Sequence, residues 1–345
     1  MTTTRSDDAP VDLRSDTVTR PTPAMRRAMH DAEVGDDVLD GDPTVRRIEE
    51  ATAALLGTEA ALFFPTGTMA NQSAIAVHSV PGTEMLVDGD AHVVNLTGAG
   101  IAALTGVQPR FIVPSGRTWN ARDLERAVRP PSRYAPRPSL VSIENTHNGA
   151  GGVVTPLESL RDISRVARAV GIPLHLDGAR LWNVEAATGV AVADYAACAD
   201  TVMVSFSKGL GCPVGAALAG PASLMREGWM VRKRFGGGMR QSGFLAAAVL
   251  YALDAHMERL ADDHARARRF AKTVDGVKGM RVVPPDTNIV MIDLPPGCEA
   301  KAVEERAATR GVLISAWTRT RLRAVFHMDV DDAGTEKAAR VVCGA

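Results

Sequence analysis

The 345-residue sequence has few cysteines, no excess of either charge and no long apolar run. Its 39 Lys and Arg residues balance 40 Asp and Glu residues, so no net field attracts nucleic acid or an anionic membrane surface. The four cysteines fit neither a disulfide framework nor a Cys-x-x-Cys zinc pattern, so we expect buried, reduced thiols at Cys198, Cys212, Cys298 and Cys343. These absences favour a small neutral or zwitterionic ligand.

The sequence also lacks targeting and repeat signals. No stretch reaches the length needed to span a bilayer, and we find no internal repeat or low-complexity segment. The start carries Arg5, Asp7 and Asp8 and no apolar run, so we expect no secretory signal and a cytoplasmic protein. A hydrophobic share of 46% allows a large core, and the length suggests about two domains.

Short apolar runs alternate with amphipathic, helix-length segments along most of the chain. This rhythm predicts an α/β fold with a mainly parallel, seven-stranded sheet flanked by helices. The predicted strands are 61–65, 85–88, 110–113, 140–144, 173–177, 201–205 and 214–220. The predicted helices are 44–56, 68–80, 121–128, 157–170 and 242–260.

The last quarter of the chain has a different pattern, which predicts a smaller α+β domain. It contains predicted helices at 262–274 and 299–309 and predicted strands at 288–293, 312–315 and 323–326. We therefore divide the chain into an N-terminal arm (1–20) that contributes to the site, a large domain (21–255) and a small domain (256–345).

Ligands of open parallel sheets bind beyond the carboxyl ends of the strands, where Lys208 lies among hydroxyls and glycines. A lysine withdrawn from water has a lowered pKa and can form a Schiff base with an aldehyde. Asp177 ends another strand and could pair with a pyridinium nitrogen, although a helix cap or an ion pair with Arg180 would explain it equally well.

Two further strand ends carry polar groups. Thr66, Gly67 and Thr68 open a helix, where free N–H groups and hydroxyls could bind a phosphate, or where a threonine could simply cap the helix. His92 follows a third strand and could lie over an aromatic cofactor or transfer a proton. Pyridoxal phosphate is the one common cofactor that needs all four features, and we predict no metal.

Several segments closely resemble the L-threonine aldolases. They are Asp12 to Thr19, Glu144 to Gly149, His175 to Arg180, Ser207 to Gly211 and Gly236 to Gln241. The resemblance runs from about Val11 to Val330. It implies a fold-type-I pyridoxal-phosphate enzyme, similar to aspartate aminotransferase, that assembles as a homotetramer of tight dimers.

The resemblance also implies roles for individual residues. Lys208 would carry the cofactor, Asp177 would bind its ring nitrogen, His92 would stack on the ring, and Thr66, Gly67, Thr68 and Ser207 would hold its phosphate. Arg240 would reach the phosphate of a neighbouring subunit. Ser15, Arg180 and Arg323 match positions that grip the substrate carboxylate, and Lys233 matches a lysine that lines the cavity.

The sequence departs from the family pattern at two positions. Leu39 stands where the family often has tyrosine, and Tyr134 stands where many members have histidine. Because both positions border the substrate hydroxyl in the family, the resemblance leaves the choice between threo and allo substrates and the size of the aldehyde open.

The predicted reaction is the cleavage of L-threonine, L-allo-threonine or a related β-hydroxy-α-amino acid to glycine and an aldehyde, with His92 or Tyr134 as base. The nearest alternative is a β-eliminating lyase with the same cofactor. A metal-assisted hydrolase using His175, Asp177 and His147 and a non-catalytic phosphate-binding module are alternatives from other classes.

Overall fold

The computed structural model describes residues 9–344. Two predictions concern residues 1–8, namely the absence of a secretory signal and the start of the N-terminal arm. Residues 1–8 and residue 345 lie outside the described residues. The described chain contains a seven-stranded sheet, a four-stranded sheet and a two-stranded pairing.

The strands and helices are numbered in chain order. The strands are β1 Val11–Asp12, β2 Ala60–Phe64, β3 Glu84–Asp88, β4 Gln108–Ile112, β5 Pro138–Glu144, β6 Leu174–Gly178, β7 Thr201–Ser205, β8 Ala216–Gly220, β9 Arg281–Val283, β10 Ile289–Asp293, β11 Val312–Leu313, β12 Ser315–Thr318 and β13 Arg321–Val325. The helices are α1 Pro23–His30, α2 Pro43–Leu56, α3 Gly67–His78, α4 His92–Asn95, α5 Ala121–Ala127, α6 Leu157–Ala169, α7 Leu181–Thr188, α8 Val192–Ala196, α9 Ala222–Arg234, α10 Gly243–Ala255, α11 Leu260–Val274, α12 Ala300–Thr309 and α13 Asp332–Gly344.

The large sheet has the strand order β2-β8-β7-β6-β5-β3-β4. The pairs from β7 through to β4 are parallel, whereas β8 is antiparallel to both of its neighbours. This confirms the predicted mainly parallel, seven-stranded sheet. The inner strands β3, β6 and β7 are buried along their whole length, as expected when helices cover both faces of a sheet, whereas the edge strand β4 is partly exposed.

Local signals in the sequence set several helix boundaries. The Asp42 side chain accepts the N–H groups of Thr44 and Val45, and Pro43 occupies the first turn of α2. The same helix ends at Gly57, whose φ of 64° is the left-handed conformation that favours glycine. Asn120 and Asp123 form a reciprocal capping box at the start of α5.

Two of the predicted elements are divided in the structure. The helix predicted for 242–260 ends at Ala255, and a new helix, α11, begins at Leu260. The strand predicted for 312–315 is two short strands, because β11 pairs with β1 while β12 pairs with β13. Pairing with different partners divides a run of residues that is continuous in sequence.

A second hydrophobic core lies under the smaller sheet, which has the order β12-β13-β10-β9. It includes Val11 and Leu13 near the start of the chain as well as residues from α11 to α13. The predicted boundary at residue 256 lies between α10 and α11. The division into an arm and two domains stays a prediction.

All four cysteines are free, but only Cys198 and Cys212 are buried. Cys298 lies in the turn before α12 and Cys343 lies near the end of α13, so both are partly exposed and the expectation of burial is wrong for them. Across residues 9–344, no helix combines the length and the apolar character that crossing a membrane requires.

Candidate active site

The candidate site is formed where the parallel strands of the large sheet end. Glu144 and Asp177 are paired in register at the ends of β5 and β6. Asp88 ends β3, and Lys208 follows β7 by three residues. Because parallel strands end at the same edge of a sheet, these polar groups are brought together although the first and the last of them are 120 positions apart in sequence.

Lys208 lies in the loop after β7, where its side chain is partly buried. Its backbone carbonyl accepts a hydrogen bond from Thr19 of the N-terminal segment (3.2 Å). Burial lowers the pKa of the Lys208 amine, and the positive charge of Arg180 lowers it further. No carboxylate oxygen of the described residues lies within 4.0 Å of its ammonium nitrogen, so this lysine is not held in an ion pair.

Asp177 is buried and its carboxylate is fixed on both oxygens. Oδ2 accepts a hydrogen bond from Asn71 Nδ2 (2.6 Å), and Oδ1 accepts the N–H of Ala179 (3.1 Å). Asn71 belongs to α3, the helix that opens with the predicted phosphate loop. The carboxylate is therefore oriented by the same helix that begins at Gly67.

A buried chain of hydrogen bonds continues from Asn71 away from Asp177. His175 Nε2 contacts Asn71 Oδ1 (2.9 Å), and His175 Nδ1 contacts Thr201 Oγ1 (2.9 Å). Because Asn71 donates to Asp177, its amide oxygen must accept the proton on His175 Nε2. Burial lowers the pKa of His175 to about 3, so the imidazole is neutral.

The hydrogen bonds of His175 argue against the alternative of a metal site that uses this residue. Both ring nitrogens of His175 are already hydrogen-bonded, so neither is available as the proposed metal ligand. Among residues 9–344, no cluster of three or more His, Cys, Asp or Glu side chains could hold a metal ion.

Two arginines lie side by side and share one acceptor. Asn148 Oδ1 accepts from Arg180 Nη1 (3.3 Å) and from Arg323 Nη1 (3.0 Å). Asp16 holds Arg180 from the other side with two hydrogen bonds, at 2.7 and 2.8 Å. Although burial opposes it, the Arg180 charge lowers the pKa of Asp16 far below its usual range, so this pair is ionised.

Arg323 keeps an unused donor although it is 92% buried. Its Nε has no hydrogen-bond partner among the described residues, while its Nη2 donates to the carbonyl of Arg14 (3.1 Å). The guanidinium lies over the Trp317 ring, 4.4 Å from its centroid. Burial and the Arg180 charge lower its pKa to about 10, which leaves it cationic at neutral pH. A carboxylate would satisfy both the spare donor and the charge.

His92 begins α4, and its backbone N–H donates to Glu144 Oε2 (2.8 Å). Its ring makes no hydrogen bond to another described residue and is free to contact a ligand. Burial lowers the pKa of His92, so the ring is neutral at physiological pH.

The predicted phosphate loop follows β2. The Thr66 hydroxyl accepts the N–H of Met69 (3.1 Å), as in an ordinary helix cap, which was the alternative reading of this residue. Gly67 and Thr68 are the first two residues of α3, so their N–H groups have no partner within the helix. Ser207 is partly exposed beside Lys208.

The structure does not connect every predicted residue to this cluster. Leu39 and Tyr134 are 76% and 84% exposed, and Lys233 and Arg240 are also exposed. Arg240 pairs with Asp36 (3.4 Å), and no hydrogen bond or ion pair within residues 9–344 joins these four to the strand-end groups. Ser15 lies next to Asp16, where its hydroxyl accepts hydrogen bonds from Thr17.

Four groups that orient the site residues were not predicted from the sequence. Asp16, Asn71, Glu144 and Asn148 each fix a predicted site residue. Three of them lie within the segments that carry the family resemblance, which was the available signal. Asn71 lies on a helix, and nothing in the sequence indicates its contact with Asp177.

Comparisons with known proteins identify the family to which the chain is similar. The family model described as beta-eliminating lyase matches residues 12–295. The chain is 40% identical to low-specificity L-threonine aldolase 1 of Arabidopsis thaliana, over 93% of this chain and 92% of that protein. It is 40% identical to the low specificity L-threonine aldolase of Escherichia coli, over 93% and 94%. A solved structure of threonine aldolase from Leishmania major shares the fold, with a TM-score of 0.80 at 20% identity over 96% of this chain and 98% of that one.

Proposed function

The chain belongs to the beta-eliminating lyase family, and from that premise we propose that it cleaves L-threonine and related β-hydroxy-α-amino acids to glycine and an aldehyde. It is a carbon–carbon lyase, and its cofactor is pyridoxal 5′-phosphate. The observation that carries the proposal is a partly buried lysine without an ion pair beside an oriented carboxylate and a pair of arginines.

The residues present fit this cofactor. The amine of Lys208, whose pKa is lowered by burial, suits a bond to the aldehyde carbon of the cofactor, and Asp177 offers a fixed carboxylate to the ring nitrogen. The start of α3 supplies N–H groups for the phosphate, with Thr66, Thr68 and Ser207 as hydroxyl donors. When bound, the cofactor provides a protonated ring that accepts the electron pair released at the substrate Cα.

Arg180 and Arg323 would bind the substrate carboxylate. The charge on Arg180 is compensated by Asp16, and the spare Nε of Arg323 gives the pair of arginines a free donor. Fixing the carboxylate restricts rotation of the amino acid and so turns its Cα–Cβ bond toward the orientation required for cleavage. Ser15 and Lys233 are proposed to contact the same substrate.

We assign the removal of the β-hydroxyl proton to His92. The imidazole is neutral because burial lowers its pKa, and no described residue occupies its ring nitrogens. Tyr134 is the alternative base, but its side chain is 84% exposed and hydrogen-bonded to Arg133 in the single chain.

The function is tested by assaying L-threonine, L-allo-threonine, L-serine and β-phenylserine side by side with the cofactor-loaded protein. We expect glycine and the matching aldehyde, with acetaldehyde from both threonines. Pyruvate or 2-oxobutyrate with ammonia would instead identify a β-eliminating lyase, the activity for which the family model is named.

The lysine is tested separately through the visible absorption band of the bound cofactor. Lys208→Ala should lose this band and turnover together, because among the strand-end groups of the described chain only Lys208 supplies an amine. A Lys208→Ala protein that keeps both would end the assignment.

We further propose that the protein is a cytoplasmic homotetramer built from tight dimers. The support is the exposed position of Leu39, Tyr134, Lys233 and Arg240, all of which the family resemblance assigns to the active site. A second copy would bring these side chains to the site, with Arg240 reaching the phosphate of its neighbour. Sedimentation of the purified protein would measure the assembly.

A further inference from the structure

Two loops that carry different parts of the proposed site are joined at several points. The first, which we call the histidine loop, is residues 88–92, and the second, the clamp loop, is residues 144–149. His147 Nε2 lies 3.6 Å from Asp88 Oδ2, and a Cβ added to Gly149 would overlap the backbone oxygen of Asp90. The clamp loop therefore lies directly against the backbone that leads to His92.

Glu144 makes the most specific of these links. Its Oε2 accepts the N–H of His92 (2.8 Å), and its Oε1 accepts the N–H of Asn148 (2.9 Å). The carboxylate is 95% buried, and burial together with the Asp177 charge raises its pKa. An ionisable group in such a position is costly, which implies a role that an apolar side chain could not fill.

Asn148 extends this link to the two arginines. Its backbone N–H is held by Glu144, while its side-chain oxygen accepts from Arg180 and from Arg323. The loop beyond it is stiffened because Gly152 N donates to His147 O (2.8 Å) and Gly151 N donates to Asn148 O (3.0 Å). A shift of the Asn148 backbone would therefore be transmitted to both guanidinium groups.

We propose that Glu144 is a positioning residue that sets the spacing between His92 and the Arg180–Arg323 pair by accepting the His92 and Asn148 N–H groups on its two oxygens. The inference rests on the proposed function, since it assigns His92 to proton transfer and the arginines to the substrate carboxylate. One carboxylate then links the arginines that bind the substrate carboxylate to the histidine that removes the β-hydroxyl proton.

The first test is Glu144→Gln in the cofactor-loaded protein. The glutamine amide has one oxygen, so only one of the two N–H groups keeps its acceptor while the shape is preserved. Because the glutamine no longer holds the two N–H groups at a set spacing, we expect the glycine Kd, read from the change in the visible spectrum, to rise and kcat for L-threonine to fall, each by up to about tenfold, the size of one lost hydrogen bond. Unchanged glycine Kd and kcat would overturn the proposal.

A double-mutant cycle distinguishes positioning from a general loss of structure. Asn148→Ala alone should raise the glycine Kd about tenfold, because both arginines lose their shared acceptor. If Glu144 acts on the arginines through Asn148, adding Glu144→Gln should leave this Kd unchanged yet still lower kcat through His92. Effects on glycine Kd that simply add would contradict the proposal.

The controls separate the possible failures. Glu158→Gln makes the same chemical change at an exposed ion pair on α6 and should leave both quantities unchanged. If Glu144→Gln does not fold, Asn148→Ala tests the clamp loop by itself. An unaltered glycine Kd in Asn148→Ala would overturn the proposal. Glycine binding is measured without turnover, so a parent protein that binds glycine but does not cleave L-threonine refutes the proposed function and leaves the positioning result interpretable.

Discussion

At the scale of single residues, the site divides into side chains that are proposed to act on ligands and side chains that orient them. Lys208, Asp177 and His92 follow strands and carry recognisable chemistry, so sequence and family resemblance both indicate them. Asn71 reaches Asp177 across 106 positions of sequence, a contact that depends on how α3 packs on the sheet. No local pattern encodes that distance.

The assignment of His92 as base gives a prediction for the pH dependence of activity. A base must be unprotonated, and burial lowers the His92 pKa from its ordinary 6.5, so kcat/KM should stay high until the pH falls below 6.5. His92→Asn should lose this acid limb and lower kcat by about 10²–10⁴-fold. Its cofactor affinity should change less than about tenfold, since stacking contributes only about 1 kcal/mol.

The measurement is a pH profile of kcat/KM for both proteins, with cofactor affinity determined in parallel. If an active His92→Asn protein showed the same fall of kcat/KM at acidic pH as the parent protein, a group other than His92 would cause that fall. Equal turnover in the two proteins would remove His92 as the base.

At the scale of elements, the alternation of apolar runs and amphipathic segments was sufficient to predict the large sheet. The strand predicted for 201–205 has those bounds in the structure, and the start of helix α6 at Leu157 was also predicted. Helix α9 was not predicted, and it ends in the basic run Arg232, Lys233 and Arg234. Burial of Arg232 among hydrogen-bond partners explains why that run forms the end of a packed helix.

The contact between the histidine loop and the clamp loop predicts that one methyl group added at Gly149 strongly lowers kcat/KM. In Gly149→Ala the new Cβ would meet the Asp90 backbone oxygen, so the histidine loop must move and carry His92 with it. We expect kcat/KM to fall about tenfold to a hundredfold, as for other displacements of reacting groups by about 1 Å. Steady-state kinetics with L-threonine measure this loss.

Gly116→Ala is the matched control for this change. The nearest atom to a Cβ at Gly116 is 3.6 Å away, which is an ordinary contact, and the residue is exposed. It should behave as the parent protein does. If Gly149→Ala were equally silent, the two loops would not be packed as described.

The outer strand β2 supplies a prediction about stability. On the edge that faces away from β8, the N–H of Phe63 donates to Glu49 Oε1 (2.8 Å) and its carbonyl accepts from Arg232 Nη1 (2.6 Å). These side chains occupy backbone groups that would otherwise be free to pair with another chain. Burial raises the pKa of Glu49 to about 7.

Glu49→Gln should therefore change how stability depends on pH. The folded protein holds the Glu49 proton more tightly than the unfolded chain, so its stabilising effect is complete below the usual pKa of 4.5 and is lost as the pH rises through 7. Glutamine still accepts the Phe63 N–H but does not titrate. Thermal melts should show the variant gaining stability relative to the parent between pH 5 and pH 8.

Glu50→Gln, at the exposed neighbouring position, is the control for these melts and should track the parent at every pH. The melting temperatures of Glu49→Gln and the parent could instead differ by the same amount at every pH from 5 to 8. That result would mean that Glu49 titrates in its ordinary range.

At the scale of the whole molecule, the single chain brings one part of the predicted site together and leaves another part exposed. The strand-end groups and the two arginines converge, whereas Leu39, Tyr134, Lys233 and Arg240 lie on the surface. The packing of helices on the sheet within one chain could be inferred from the sequence pattern. Residues that a second copy adds to the site depend on how two copies associate, which the pattern of one chain does not indicate. The family resemblance was the only signal for it.

A shared site can be tested by mixing two impaired proteins. If Arg240 serves the phosphate of its neighbour, a dimer of one Lys208→Ala chain and one Arg240→Ala chain has one site with both changes and one site with neither. Random reassembly by unfolding and refolding should therefore restore about a quarter of the parent activity, measured at limiting cofactor. The matched control mixes Lys208→Ala with His92→Asn, which affect the same site, so every mixed dimer retains one change in each site and no activity returns. Recovery in the control, or none in the test mixture, would place Arg240 outside the neighbouring site.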